Sequence, residues 1–275
     1  MNVMDIVLPG LILGAMGLVF GLVLAFASKR FSVQKDERVE RVREVLPGAN
    51  CGACGYAGCD AFAEAVVKGE ASVNGCTVGK APVAKKVAEI MGKEANEGDD
   101  KIAFVRCHGA LGDVKAKSAY SGLANCQAAS DVNGGNLACR FACLGLGDCE
   151  RACPFDAIHV KNGLAVVDRG KCTGCGACVA ACPRSVIDMI PAKGYIAVAC
   201  RNTDPGKAVR AVCSRGCIDC KICEKKCQYD AIHVPAGLAT VSYDKCVGCG
   251  ACVEGCPTKV IVDFGGKAEA VPAGA

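Results

Sequence analysis

Twenty-four cysteines among 275 residues constrain this chain more than any other feature. Most lie in tight CxxCxxC runs. A cysteine density this high belongs either to a secreted disulfide scaffold or to a metal or cluster protein of a reducing compartment. Tight runs suit disulfides poorly, because near neighbours compete for partners and close small, strained rings. The N-terminus has no cleavable-signal pattern: its apolar stretch is too long, lacks a basic start and ends in a basic cluster. Trp is absent and large side chains are few, so there is little from which to build a conventional core. Metal-binding free energy can take that place, so the apo-chain is expected to be largely unfolded beyond its first helix. The formal charge of +4 counts thiols as neutral; six cubanes at roughly −2 each would bring it to about −8. The nominal basicity therefore carries no nucleic-acid reading.

The first run is Cys51, Cys54 and Cys59, with Cys76 following at a distance. Three close thiols and a remote fourth are the usual arithmetic of a cubane 4Fe–4S cluster, whereas zinc takes paired CxxC knuckles. Gly52, Gly55 and Gly58 permit tight turns around such a group. Residues 60–68 are predicted to be helical, placing the group near a helix N-terminus that favours its negative charge. Residues 81–94 are predicted as another short helix, followed by a polar linker.

The rest is an internal duplication. The segment from Cys149, CERACPFDAIHVKNGLAVVDRGKCTGCGACVAACP, returns from Cys223 as CEKKCQYDAIHVPAGLATVSYDKCVGCGACVEGCP, 74 residues on. The same offset also relates Cys126 to Cys200, Cys139 to Cys213 and Cys143 to Cys217. Each copy resembles a bacterial two-cluster ferredoxin, in which the fourth cysteine of each run ligates the other run's cluster. That resemblance implies one set of Cys217, Cys220, Cys223 and Cys256 in the second copy, and another of Cys246, Cys249, Cys252 and Cys227. In the first copy it implies Cys172, Cys175, Cys178 and Cys153. The remaining set has Cys143, Cys149 and Cys182 but lacks a ligand, because Leu146 stands where the second copy has Cys220. Cys139, nearest in sequence, is the expected replacement, with Cys107 as the alternative. The others, Cys107, Cys126, Cys200 and Cys213, would then form a sixth set or remain free thiols. The AIHV and LAVV/LATV segments are predicted as hairpin strands. His108, His159 and His233 are not needed as ligands, and His159 and His233 are expected on strand surfaces.

Residues 6–27, IVLPGLILGAMGLVFGLVLAFA, run for 22 positions without a charge, long enough to cross a bilayer as a helix. Ser28, Lys29 and Arg30 follow, and the positive-inside rule places everything after them in the cytoplasm. Gly10, Gly14, Gly17 and Gly21 suit close helix docking, or are simply tolerated in a lone anchor. No ionisable residue interrupts the stretch, so no ion path is expected within this chain. Residues 33–46 are predicted as an amphipathic helix at the membrane surface.

The expected class is α+β: a transmembrane anchor at 1–28, a charged linker helix at 29–50 and a four-cysteine module at 51–80. A helix and linker at 81–106 and ferredoxin-like repeats at 107–198 and 199–275 complete it. An uncharged span ending in SKRF, then CGACGYAGC, then ferredoxin repeats resembles the B subunit of Rnf complexes over essentially the whole chain. That resemblance implies a membrane complex coupling electron transfer from reduced ferredoxin to NAD⁺ with Na⁺ or H⁺ translocation. The B subunit would accept electrons from soluble ferredoxin and pass them through 4Fe–4S clusters towards other membrane and cytoplasmic subunits. The alternatives are a polyferredoxin of another membrane redox complex and a zinc protein without redox function. No G-x-G-x-x-G follows a strand, so nicotinamide binding is not indicated here, and no catalytic residue is assigned.

Overall fold

Each cysteine-rich segment is too short to enclose a core alone, and the chain answers this with small sheets and short helices wrapped around thiols. The computed structural model describes residues 3–30, 36–94 and 100–264. Most of the polar linker after residue 94 and the last residues of the second repeat lie outside that set.

Val3–Arg30 is one continuous helix, α1. Leu13, Leu18, Phe20, Leu24 and Phe26 along it are exposed. Among the described residues no helix is long and apolar enough to cross a membrane. The span read as residues 6–27 runs through positions whose side chains are outside the described set, so the fold does not establish the expected transmembrane segment.

Three helices make the first module: α2 (Glu37–Val45), α3 (Cys59–Lys68) and α4 (Lys80–Met91). Asp36 caps α2 by accepting the Arg38 N–H at 2.9 Å. The apolar face of α2, expected at the membrane surface, packs on the other helices of this module. Val42 is wholly buried with Leu46 against Phe62, Val66 and Val87. The same amphipathic period serves either surface, and here the neighbouring helices cover it.

The first ferredoxin-like unit runs from β1 (Lys101–Val105) through α5 (Cys126–Asp131), α6 (Asp148–Arg151), β2 (Ile158–Lys161), β3 (Leu164–Val167) and α7 (Ala177–Ala180) to β4 (Ile187–Pro191). β2 and β3 form the predicted hairpin, with Ile158 opposite Val167. β1 pairs antiparallel with β4, Lys101 opposite Pro191. The unit's sheet thus begins inside the stretch read as linker. The second unit follows with β5 (Ile196–Val198), α8 (Gly206–Val212), α9 (Ile222–Lys226), β6 (Ile232–His233), β7 (Thr240–Val241), α10 (Ala251–Glu254) and β8 (Ile261–Asp263). β6 pairs with β7, and β5 with β8. β5 therefore belongs with the second unit, although the repeat boundary read from sequence put it in the first. An opening strand without cysteines is invisible to a cysteine register; its place is set by pairing with the closing strand. Each unit has a buried core, the first sharing Ala197 and Ala199 of the second unit, and cysteines form part of both.

The units are fastened to one another. Asp188 on β4 takes ion pairs from Arg106 at 3.0 Å and Arg201 at 2.7 Å. Val114 bridges Cys213, and the Lys115 N–H donates to the Val212 carbonyl at 2.9 Å.

Candidate functional site

The chemistry-bearing side chains are thiols, and the fold gathers them four at a time. In the first module Cys51, Cys54, Cys59 and Cys76 line one cavity of about 20 Å³. Asn50 Oδ1 accepts the Cys59 N–H at 2.8 Å, fixing the turn into α3. The Gly79 N–H donates to Cys76 Sγ at 3.4 Å. Burial raises the Cys76 thiol pKa, and the nearby Cys59 and Cys54 sulfurs add to it.

In the second unit Cys217, Cys220, Cys223 and Cys256 line a matching cavity of about 20 Å³. Burial pushes Cys223 up to about 11, helped by the sulfurs of Cys217, Cys220 and Cys256 around it. Cys252 is pushed up to about 11 in the same way, with Cys246, Cys227 and Cys249 as its neighbours. The fourth cysteine of each run thus sits with the other run. The first unit repeats this: burial pushes Cys178 up to about 11, beside Cys172, Cys175 and Cys153. Backbone N–H groups face several of these sulfurs, Ala103 on Cys172 and Ala157 on Cys153 at 3.4 Å, and Ala231 on Cys227 at 3.3 Å.

The group around Leu146 departs from the expected one. Burial pushes Cys149 up to about 12, and the sulfurs next to it are Cys143, Cys126, Cys182 and Cys178. Cys143 is raised by burial too, with Cys126 and Cys182 at hand. Cys126, and not Cys139, is among the sulfurs beside Cys143 and Cys149. Cys139 instead shares a third cavity of about 20 Å³ with Cys107, Cys200 and Cys213. Nearness in sequence pointed to Cys139, and the 74-residue offset matched Cys126 to Cys200; neither holds in the fold. β1 leads into Cys107 as β5 leads into Cys200, so these two are the equivalent pair, 93 residues apart. The first unit therefore carries 19 extra residues, and Cys126 lies among them. Comparing IAFVRC with IAVAC would have shown it.

No three of the described His, Cys, Asp and Glu side chains close on a single metal-ion position. His159 and His233 make equivalent surface contacts, to Glu150 at 3.1 Å and Glu224 at 3.3 Å. His108 is half-buried, and burial followed by the Arg215 charge lowers its pKa.

A family model described as "Putative Fe-S cluster" matches residues 46–78, and two described as "4Fe-4S dicluster domain" match 137–183 and 216–261. The chain is 46% identical over 264 residues to the B subunit of the Na⁺-translocating ferredoxin:NAD⁺ oxidoreductase complex of Acetobacterium woodii, covering 94% of this chain and 79% of that protein. It is 43% identical to the B subunit of the ion-translocating oxidoreductase complex of Methanosarcina acetivorans, over 91% of this chain and 95% of that one. It is also 43% identical to the B subunit of the proton-translocating ferredoxin:NAD⁺ oxidoreductase complex of Clostridium ljungdahlii, over 89% and 88%. The chain belongs to the family of Rnf B subunits. As an Rnf B subunit it is an electron-transfer component of an Rnf-type, membrane-associated complex, built on 4Fe–4S domains. The matched stretches leave Cys107, Cys126, Cys200 and Cys213 outside.

Proposed function

We propose that this Rnf B subunit is a non-catalytic relay. It passes single electrons from a reduced ferredoxin to membrane subunits through cubanes held by five four-cysteine sets. The sets are Cys51, Cys54, Cys59 and Cys76; Cys153, Cys172, Cys175 and Cys178; and Cys126, Cys143, Cys149 and Cys182. In the second unit they are Cys217, Cys220, Cys223 and Cys256, then Cys227, Cys246, Cys249 and Cys252. The carrying observation is the gathering of these twenty thiols in fours, with N–H donors aimed at sulfur. Such donors suit thiolates, and buried thiols with raised pKa values would give up their protons only to metal. Bound there, cubanes would supply one-electron oxidation and reduction at potentials tuned by hydrogen bonds and exposure. All four positions of each set are cysteine, so no position is left for a substrate. NAD⁺ chemistry and ion translocation then belong to other subunits.

Cys220 and Cys249 in the second unit and Cys51 in the first module are exposed, whereas the other thiols are buried or half-buried. Electron tunnelling needs close approach, so the second unit is the side that accepts from ferredoxin and the first module the side that delivers. A cavity of about 220 Å³ between Cys76 and the Thr173–Gly174 loop marks where the first module meets the first unit. α1 would be the anchor: it carries a 22-residue uncharged run followed by Ser28, Lys29 and Arg30, a pattern that supports an N-terminus outside and thiol groups in the cytoplasm.

Iron analysis with EPR after dithionite reduction tests the relay. Multiple reduced 4Fe–4S signals support it, and zinc without iron would end it. Freeze-quenched reduction by soluble ferredoxin tests the direction: signals of the second unit should rise before those of the first module. A chain lacking residues 1–30 should leave the membrane fraction.

A further inference from the structure

The two copies of the repeat share a fold but not a surface. In the second unit Lys221, Lys225, Lys226 and Lys259 are exposed around the Cys217 set. Lys221 lines the cavity of that set, and its carbonyl accepts the Lys225 N–H at 3.2 Å, so the two stand one helical turn apart on α9. The Lys226 side chain lies over Gly255, where a Cβ would collide with it, next to Cys256. The Lys259 N–H donates to the Cys256 carbonyl at 3.2 Å. Among the described residues none of the four ammonium groups has an ion-pair partner. Two members of this set, Cys220 and Cys256, are thus each flanked by lysines, and Cys220 is itself exposed with Ile222 beside it.

Carboxylates near the patch are few. Glu224 is taken by His233 at 3.3 Å, and Asp219 turns one oxygen wholly inward. Glu254, exposed on α10, which packs against α9, is the open one. The 74-residue register supplies an internal control. Lys221, Lys226 and Lys259 correspond to Gly147, Ala152 and Ser185 in the first unit. Lys225 corresponds to Arg151, whose charge is cancelled by an ion pair with Asp148. The fold therefore does not require the lysines.

The other exposed thiol of the second unit, Cys249, has different surroundings. Lys245 is tied to Asp230 at 2.7 Å, Asp244 is exposed, and the Asp263 carboxylate borders Gly250. We propose that Lys221, Lys225, Lys226 and Lys259 form the docking surface for an acidic electron-donor protein, so that electrons enter at the Cys217 set and not at the Cys246 set. The inference rests on the relay reading above and adds the surface and the point of entry. An apolar, exposed centre inside a ring of free cations suits a transient partner that is steered by charge and released again. In the transfer one electron leaves the donor's reduced centre and enters the oxidised Cys217 set, with no bond made or broken and no proton moved.

The test uses the full-length reconstituted chain with an acidic two-cluster ferredoxin as probe. Calorimetry reads the affinity for its oxidised form, and stopped flow reads electron delivery from its reduced form, both across a range of salt. For the unaltered chain affinity and rate should fall as salt rises. Lys225→Glu combined with Lys226→Glu should keep the iron, lower affinity and rate by about tenfold at low salt, and flatten the salt dependence. Reduction by photoreduced deazaflavin, small and uncharged, should stay the same. Unchanged affinity and salt dependence would overturn the docking surface and leave the relay standing. So would a moved potential with the salt dependence intact, since the lysines would then only balance the charge of the set. A larger effect from Asp244→Lys than from the lysine pair would shift the entry to the Cys246 set and overturn the proposal. Lost binding to phosphatidylserine vesicles with ferredoxin kinetics intact would assign the patch to a membrane instead. An unaltered chain that ferredoxin does not reduce would overturn the donor reading itself. If the double variant loses iron, Lys225→Gln combined with Lys226→Gln decides: a smaller fall of the same sign supports the patch, and no fall overturns it.

Discussion

The Asp148 carboxylate accepts the Gln127 N–H at 3.0 Å and fastens α5 to α6. Cys126 opens α5 and Cys149 lies in α6, so this contact holds the two thiols side by side. Asn125 caps α5 by accepting the Ala128 N–H at 2.8 Å. Arg151 reaches the Leu146 carbonyl at 3.1 Å and the Ala124 carbonyl at 3.2 Å. The loop that lacks a cysteine at 146 is thus clamped to the segment that supplies one at 126.

This clamp predicts a rescue. Cys126→Ser should cost the chain about four iron atoms, one cubane. Adding Leu146→Cys restores the CxxCxxC run and should return them. Iron per chain with EPR spin counting checks it; loss in the single variant without recovery in the double would count against Cys126 as the substitute.

Gly145 sits in the same loop at φ +67°, and a Cβ there would lie 2.2 Å from the Gly163 carbonyl oxygen. Gly145→Ala therefore meets both left-handed strain of about 1–2 kcal/mol and a backbone clash. The expected outcome is a lower Tm and loss of the Cys143 set, read by thermal unfolding and iron content.

Exposure should order the loss of metal. Cys51, Cys220 and Cys249 are exposed, while Cys143, Cys149, Cys172 and Cys178 are buried. A chelator such as bathophenanthroline should strip iron in phases, fast from the sets with an exposed ligand and slow from those without. EPR at intervals identifies which signals go first; a single uniform phase would contradict the ordering.

Val42 is wholly buried between α2 and the other helices of the first module. Val42→Ala should destabilise that module by about 2 kcal/mol through lost burial and the cavity left behind. Faster iron release from the Cys51 set, with the ferredoxin-like units unaffected, is the expected readout. No effect would mean that α2 packs elsewhere.

The sets built on CxxCxxC runs were legible because a short loop fixes three sulfurs by local chain geometry, whatever the rest of the molecule does. In the repeats, the expectation that the fourth cysteine of each run joins the other run came only from likeness to two-cluster ferredoxins. The helices of the first module and the two hairpins also followed from local pattern. The β1–β4 and β5–β8 pairings did not, since their strands are separated by the length of a unit and carry no cysteine. Nor did the packing of α2, because an amphipathic face states that it must be covered and not by what.

By itself the sequence determined the number of thiols, the tandem repeat and the family, and with them electron transfer as the function. Only the tertiary structure decided which thiols meet. Cys126 stands beside Cys143 and Cys149, near the loop where Leu146 lacks a thiol, because Asp148 and Arg151 bring its helix there. Cys139 turns away to the seam between the units, where Cys107, Cys200 and Cys213 converge from strands and helices of both units. Spacing constrains sulfurs within one loop; sulfurs in different units meet only through the burial and ion pairing that dock one unit on the other.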